Sequence, residues 1–342
     1  MSAFVPSGPE VVGWGVALLA ATLVLGFAVI SIRPPAAARW AAGGVALTAA
    51  TAAERQTAGE PAGFRMLAIL GTLLYGMKAV VAVEGAADGG GEAAAERGRD
   101  GAASPARLGL AAWLGFAALW PGMRPALFAR RAAHPLPGAG ALLGRGLVRL
   151  AAGALLVAAA RAVAARGGPL LFATALVLPG LSLILHFGIF NLIAGAWRLA
   201  GINAKPLFRA PLRSTSLTEF WGRRWNLAFS EMTSLAVYRP LRARWGTGPA
   251  TAAAFFASGL LHEAAISLPV RAGFGLPLSY FALHGALMAA ERRLARAGRP
   301  LSATPWLGRL WTLGWLALPL PILFHRPFLA GIVWPLLGVQ LP

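Results

Sequence analysis

"VVGWGVALLAATLVLGFAVISI", residues 11–32, contains no charged residue. About 20 consecutive apolar residues cross the hydrocarbon core of a bilayer, so this stretch reads as a transmembrane helix. No Lys or Arg precedes it and no small-residue cleavage pattern stands in the usual position. It therefore reads as a retained helix rather than a signal peptide. The rest of the 342-residue chain agrees, with 57% hydrophobic and 13% charged residues, against roughly 25% charged in soluble domains. Further candidate spans are 36–52, 64–83, 106–120, 142–160, 168–192, 250–268, 272–290, 306–324 and 327–341. The expectation is an all-α polytopic transmembrane helix bundle of about eight to ten spans. It forms one integral-membrane domain over 1–342, with no repeat of fixed period and no soluble module.

The formal charge is +19, from 31 basic and 12 acidic residues, and only Lys78 and Lys205 are lysines. The Arg are scattered between apolar spans rather than gathered on one module, which argues against nucleic-acid binding. An Ala/Gly/Arg-rich, Lys-poor chain points to a GC-rich genome and, with the spans, to a bacterial cytoplasmic membrane. The absence of Cys excludes disulfides and thiolate chemistry. Three loops concentrate Arg. Residues 121–149 carry Arg124, Arg130, Arg131, Arg145 and Arg149; residues 198–249 carry nine Lys and Arg; residues 291–309 carry Arg292, Arg293, Arg296, Arg299 and Arg309. Cytoplasmic loops are enriched in Lys and Arg, and the spans between these loops come in pairs, so all three are expected on the cytoplasmic face. Residues 84–105, Gly/Ala-rich and acidic, read instead as a flexible extracytoplasmic connection.

Ionisable residues inside spans are costly and are functional candidates. In "AAAFFASGLLHEAAISLPV", 252–270, His262 and Glu263 stand side by side in an apolar helix. If the helix starts near Pro249, His262 lies roughly 18–20 Å along it, near mid-bilayer. Glu263 is rotated about 100° from it and is expected to hold an Arg or a backbone donor. Ser258, at i−4, is placed to orient the His262 ring, and Gly259 to admit a neighbouring helix. His186 and His284 are also buried histidines; the common role of such a residue is a packed polar group bonded to its neighbours. His134 and His325 read as loop-end residues. Three histidines on three helices without ligand spacing argue against a metal site. A lone buried His favours its neutral form and can act as a general base.

The second unusual stretch is "LTEFWGRRWNLAFSEM", 217–232, which packs two Trp, two Arg, an Asn and two Glu into an apolar chain. "SLTEFWGRRWN" (216–226), "VYRPL" (237–241), "FFASGLLHE" (255–263) and "LWPGMRP" (119–125), taken together, resemble the wax synthase branch of the membrane-bound O-acyltransferases. The resemblance covers about residues 105–290. It implies a multi-helix bundle with the catalytic His at His262 and the family Asn at Asn226. Against the sterol and diacylglycerol acyltransferase motif Phe-Tyr-x-Asp-Trp-Trp-Asn, the chain keeps Phe220, Trp225 and Asn226. It has Trp221 for Tyr, Arg223 for Asp and Arg224 for the first Trp, which disfavours sterol or diacylglycerol acceptors.

Trp221 and Trp225 suit a membrane interface and share one face if the segment is helical. Asn226 offers a donor and an acceptor for a thioester carbonyl or its oxyanion. Arg223 and Arg224 suit acyl-CoA phosphates or, equally, an interfacial anchor. The substrate-binding set is thus Trp221, Arg223, Arg224, Trp225, Ser258 and Glu263, beside catalytic His262 and Asn226. The implied partners are acyl-CoA or acyl carrier protein, a lipid-like alcohol and membrane lipids, with acyl-CoA a co-substrate and no cofactor or metal. Acylation of a glycan, a hydroxylated lipid or a secondary metabolite is an alternative. A lipid or small-molecule transporter is another, although the paired broken helices of transporters are not evident. No sequence feature specifies an oligomeric state. For Asn226 and His262 to meet, residues 217–232 must dip into the bundle.

Overall fold

The computed structural model describes residues 2–87 and 108–339. Helices α1 (Pro9–Val29), α2 (Pro35–Gln56) and α3 (Ala62–Ala87) pack as an antiparallel group. A short α4 (Leu110–Ala117) follows, then α5 (Ala139–Ala165). A long helix returns as α6 (Leu170–Ser182), a π-helical stretch and α7 (Phe190–Leu199). After an irregular region come α8 (Leu227–Thr233), α9 (Arg239–Trp245), α10 (Thr247–His262), α11 (Leu276–Arg296) and α12 (Pro305–Ala317). No strand occurs among the described residues. The chain is an all-α, polytopic helix bundle.

Among the described residues, five helices are long and apolar enough to span: Pro9–Val29, Ala62–Ala86, Ala139–Ala165, Leu170–Leu199 and Thr247–Val270. A sixth is the pair Pro305–Leu323 and Arg326–Leu336, bent by 71°. Helices α2 and α11 have 22 and 21 residues but carry charges at their ends. Two expected spans differ. The described residues 327–339 do not form a second crossing; the half beyond the 71° bend packs against Ala62 and Val270 at Gly331, and Trp334 donates to Thr174. Of the expected span 106–120, the described residues 108–120 hold only the eight residues of α4, about 12 Å of helix, too short for a core of about 30 Å.

The three Arg-rich loops meet on one face. Ala132 N donates to Gly201 O at 2.9 Å and Arg198 Nη2 to Pro137 O at 2.7 Å. Arg124 pairs with Glu231 at 2.7 Å, and Gly308 packs on the carbonyl of Thr215. The opposite face is marked by Ser7 on Glu60 and by Arg65 on the carbonyl of Pro269. The acidic connection 84–105 falls almost wholly outside the described residues. Its described start, however, lies on the Arg-rich face, where Gly85 faces Pro125 and Glu84 pairs with Arg39. The described start of the connection and the short α4 that follows it thus lie on the Arg-rich face, not on the face opposite it as expected of the connection.

Two apolar cores form. One gathers Val81, Trp113, Phe116, Trp120, Phe128, Phe208 and Met232; the other gathers Val177, Tyr280, Phe281, Ile332 and Trp334. Trp225 and Leu261 pack on the first, Trp221 and Phe255 on the second. The seam between the cores therefore runs through the 217–232 segment and α10. Small residues let helices close there: a Cβ on Gly259 would stand 3.0 Å from the Cα of Leu278, so α10 and α11 approach at backbone distance.

Candidate active site at the seam

His262 ends α10, just before a π-helical stretch, Glu263–Ser267. Such local widenings of a helix recur at functional sites. The ring Nδ1 lies 2.7 Å from the carbonyl oxygen of Ser258. A carbonyl only accepts, so Nδ1 carries the proton and Nε2 presents a lone pair. Phe229, with ring centroids 5.6 Å apart, and Phe281, at 4.2 Å, flank the imidazole. Ser258 orients the ring through its carbonyl, while its hydroxyl donates to Ala254 O at 2.8 Å. Glu263 faces elsewhere: Oε1 accepts from Gly275 N and Leu278 N, both at 2.9 Å, at the start of α11. It holds backbone donors, one of the two expected roles, and anchors the α10–α11 turn rather than facing the His262 ring.

The polar segment starts with Ser216, which caps the turn Leu217–Glu219 through the N–H of Glu219. Glu291, buried on α11, accepts from Leu217 N at 2.6 Å, from Thr218 N at 3.0 Å and Oγ1 at 2.9 Å, and from Trp311 Nε1 at 3.1 Å. The chain then widens into a π-helical stretch, Phe220–Arg224. Trp225 is extended, with φ −105° and ψ 130°. Asn226 turns left-handed at φ 40°, a region that Asn tolerates better than most residues. Asn226 Oδ1 accepts from Phe229 N at 3.3 Å and so caps α8.

The two Trp therefore do not share a face, contrary to the helical expectation, because the helix ends between them. Trp221 enters the bundle against Phe255, Phe281 and His284. Trp225 turns to His186 and Phe208, and stacks on Phe220 at 5.4 Å. The segment thus dips into the bundle. Phe229 joins the two candidate catalytic residues, since its N–H meets Asn226 and its ring meets His262.

Arg223 is exposed. Arg224 is engaged with Glu219 at 2.6 Å and with the carbonyls of Arg209 and Ala210. In these bonds it serves the fold of the segment. His284 is buried, with Nδ1 on Tyr280 O at 2.8 Å, and His186 stacks on Phe208 at 4.6 Å. Sequence reasoning passed over Phe229, Glu231, Phe281 and Glu291. Glu231 and Phe229 lie in the polar stretch itself, whereas Glu291 was masked by the Arg that follow it.

The model for the membrane bound O-acyl transferase family matches residues 204–281. This range holds His262, Asn226 and both flanking phenylalanines. The chain resembles the wax synthase branch of that family. It is 35% identical over 136 residues to a long-chain-alcohol O-fatty-acyltransferase of Simmondsia chinensis, covering 35% of this chain and 39% of that protein. It is 36% identical over 139 residues to a probable long-chain-alcohol O-fatty-acyltransferase 6 of Arabidopsis thaliana, covering 36% and 40%. With probable enzyme 8 of the same plant the identity is 34% over 137 residues, covering 37% and 40%. The matched stretch thus spans about two fifths of the length of these curated relatives.

Proposed function

We propose that the chain is a membrane O-acyltransferase that joins a fatty acyl group from a thioester to a long-chain alcohol. The observation that carries the proposal is the His262 ring, held by the Ser258 carbonyl with Nε2 free and linked through Phe229 to Asn226. Nε2 accepts the proton of the alcohol hydroxyl as that oxygen attacks the thioester carbonyl carbon. The carbonyl electrons move to its oxygen, and Asn226 Nδ2 donates a hydrogen bond to the charge that develops there. Collapse breaks the C–S bond, and the thiolate takes the proton from His262. The ester and the free thiol leave, and the ring is neutral again.

Acyl-CoA is the proposed donor, with Arg223 as the available guanidinium for its phosphates. The Arg-rich face is taken as cytoplasmic, where a soluble thioester is found, and the alcohol enters from lipid. The membrane is that of a bacterial cell. The test incubates membranes carrying the chain with labelled palmitoyl-CoA and hexadecanol and measures labelled wax ester. Ester formation above that of membranes without the chain supports the reading. No ester from hexadecanol, with ester formed on a glycan or hydroxylated lipid instead, moves the enzyme to another acceptor class.

A further inference from the structure

Lys78 is fully buried in α3. Its ammonium donates to three backbone carbonyls: Phe116 at 3.0 Å, Trp120 at 2.6 Å and Gly122. It also lies 4.1 Å from the ring centroid of Phe116. An ammonium has three protons, so the three carbonyls saturate it, and its charge is offset by no carboxylate at ion-pair distance among the described residues. Burying such a charge is costly unless fixed dipoles replace its hydration. What the charge achieves is a shaped turn: residues 116–122, which contain Pro121 and Gly122, are wound around one point.

That turn leads directly into Arg124, whose Nε lies 2.7 Å from Glu231 Oε1. Glu231 also accepts from the backbone of Met123 and lies within electrostatic reach of Lys78. It stands on α8, the seven-residue helix whose first turn Asn226 caps. The turn is thus clasped on one side by a cation from α3 and on the other by an anion from α8.

We propose that Lys78, Arg124 and Glu231 form a positioning frame for Asn226: the α3 ammonium shapes the turn, and the turn, through Arg124, holds α8 in register. None of the three touches the reacting atoms. Asn226 sits at a left-handed backbone position between an extended residue and a short helix. Trp225 N donates to Phe220 O and Leu227 N to Leu207 O, which hold the backbone at the position itself, while Arg124 and Glu231 fix the helix that follows. The functional half of this inference rests on the acyltransferase reading; the structural half does not.

The test uses the full chain in detergent or nanodiscs with two readouts. The sequence lacks Cys, and Gly222 is exposed with open space around a Cβ, so Gly222→Cys carries a spin label at the tip of the segment. Lys78→Met and Glu231→Gln, the latter the gentler change, should each increase label mobility. In ester synthesis they should lower kcat by about tenfold to a hundredfold, as expected of an ångström-scale misplacement. KM for the thioester should move less than about threefold, since a mispositioned catalytic group costs the transition state more than the ground state. Arg124→Lys, which keeps the charge on Glu231, should recover most of what Arg124→Ala loses. The double variant Lys78→Met/Glu231→Gln should be no worse than the poorer single, because both act on one turn. Unchanged mobility in both single variants overturns the frame. A mobile label with unchanged kcat overturns its role in positioning. Absence of any ester from the unsubstituted chain would instead overturn the acyltransferase reading, while the mobility readout still decides the frame.

Discussion

His262 and Asn226 reach the seam by opposite routes. His262 is carried on α10, a regular apolar helix whose backbone satisfies itself; a single bond to Ser258 O orients the ring. Asn226 is carried on a broken segment in which helical turn, π-helical stretch, extended residue and left-handed residue follow within ten positions. Its backbone groups need outside partners. Glu291 binds its start, Glu219 and Arg224 tie its middle to residues 209–215, Ser230 donates to Trp221 O at 2.6 Å, and Glu231 holds its end. Away from water an unsatisfied backbone group is expensive, so polar side chains gather where the backbone is irregular. The polar density of 217–232 is therefore as much scaffold as site.

The starts of α10 and of the polar segment lie on the Arg-rich face together with the end of α3, and labelling tests this in an all-or-none way. Cys placed at Thr247 and at Ala86 should react with an impermeant maleimide from the same side of sealed vesicles, the cytoplasmic one. Reaction from opposite sides would overturn the placement of the α3 end on the Arg-rich face.

The next largest effect separates chemistry from scaffold. His262→Ala should lower ester formation by about 10²–10⁴-fold, the usual contribution of a general base, with unchanged membrane insertion and little change in Tm. His284→Ala should cost far less activity. Near-normal turnover by His262→Ala would remove the base from the mechanism.

Glu291→Gln should show the reverse profile. The amide oxygen can still serve Leu217 N and Trp311 Nε1, which share Oε1, but the NH2 then faces the two Thr218 donors on the Oε2 side, at about 1–3 kcal/mol for each orphaned group. Its Tm should fall clearly, with activity lost as the segment loosens. A Tm equal to that of the unsubstituted chain would mean that the segment holds itself.

The smallest effect is a pH dependence at Glu219. Burial pushes its carboxyl up, but bonds from the Thr215 N–H and from Arg224 outweigh this and hold it below the ordinary value of 4.5. A carboxylate with a depressed pKa in the folded state stabilises above the unfolded value, and the gain fades as pH falls through the folded one. Tm should therefore decline slightly more between pH 5 and pH 3, about the range set by that shift, than in Glu219→Gln. Parallel curves would show that the pair adds nothing, as many exposed ion pairs do.

Much of the fold was legible because hydropathy is a local property. An uncharged run such as 11–32 must be a helix in lipid, whatever surrounds it, and paired spans set the Arg-rich loops on one face. The limits were also physical. Residues 106–120 are apolar enough to suggest a span, yet among the described ones only α4 forms, and the carbonyls of Phe116 at its end and of Trp120 and Gly122 beyond it turn towards Lys78 from α3. The motifs of the family that the chain resembles marked His262 and Asn226 as candidates, and His262 stood out on its own helix as a polar residue in an apolar run. That Trp221 and Trp225 diverge was not legible, because four-residue spacing predicts one face only while the helix lasts.

The sequence alone therefore determined the membrane class, the helical architecture and the two residues on which the chemistry is proposed to rest. These depend on composition, short-range periodicity and motif. Tertiary structure decided what surrounds them: which side chains satisfy the irregular backbone, that Phe229 and Phe281 enclose the His262 ring, and that Lys78 governs a turn more than thirty residues away. These are contacts between distant segments, and no local pattern encodes them, because each backbone donor or acceptor accepts any partner that packing brings within reach.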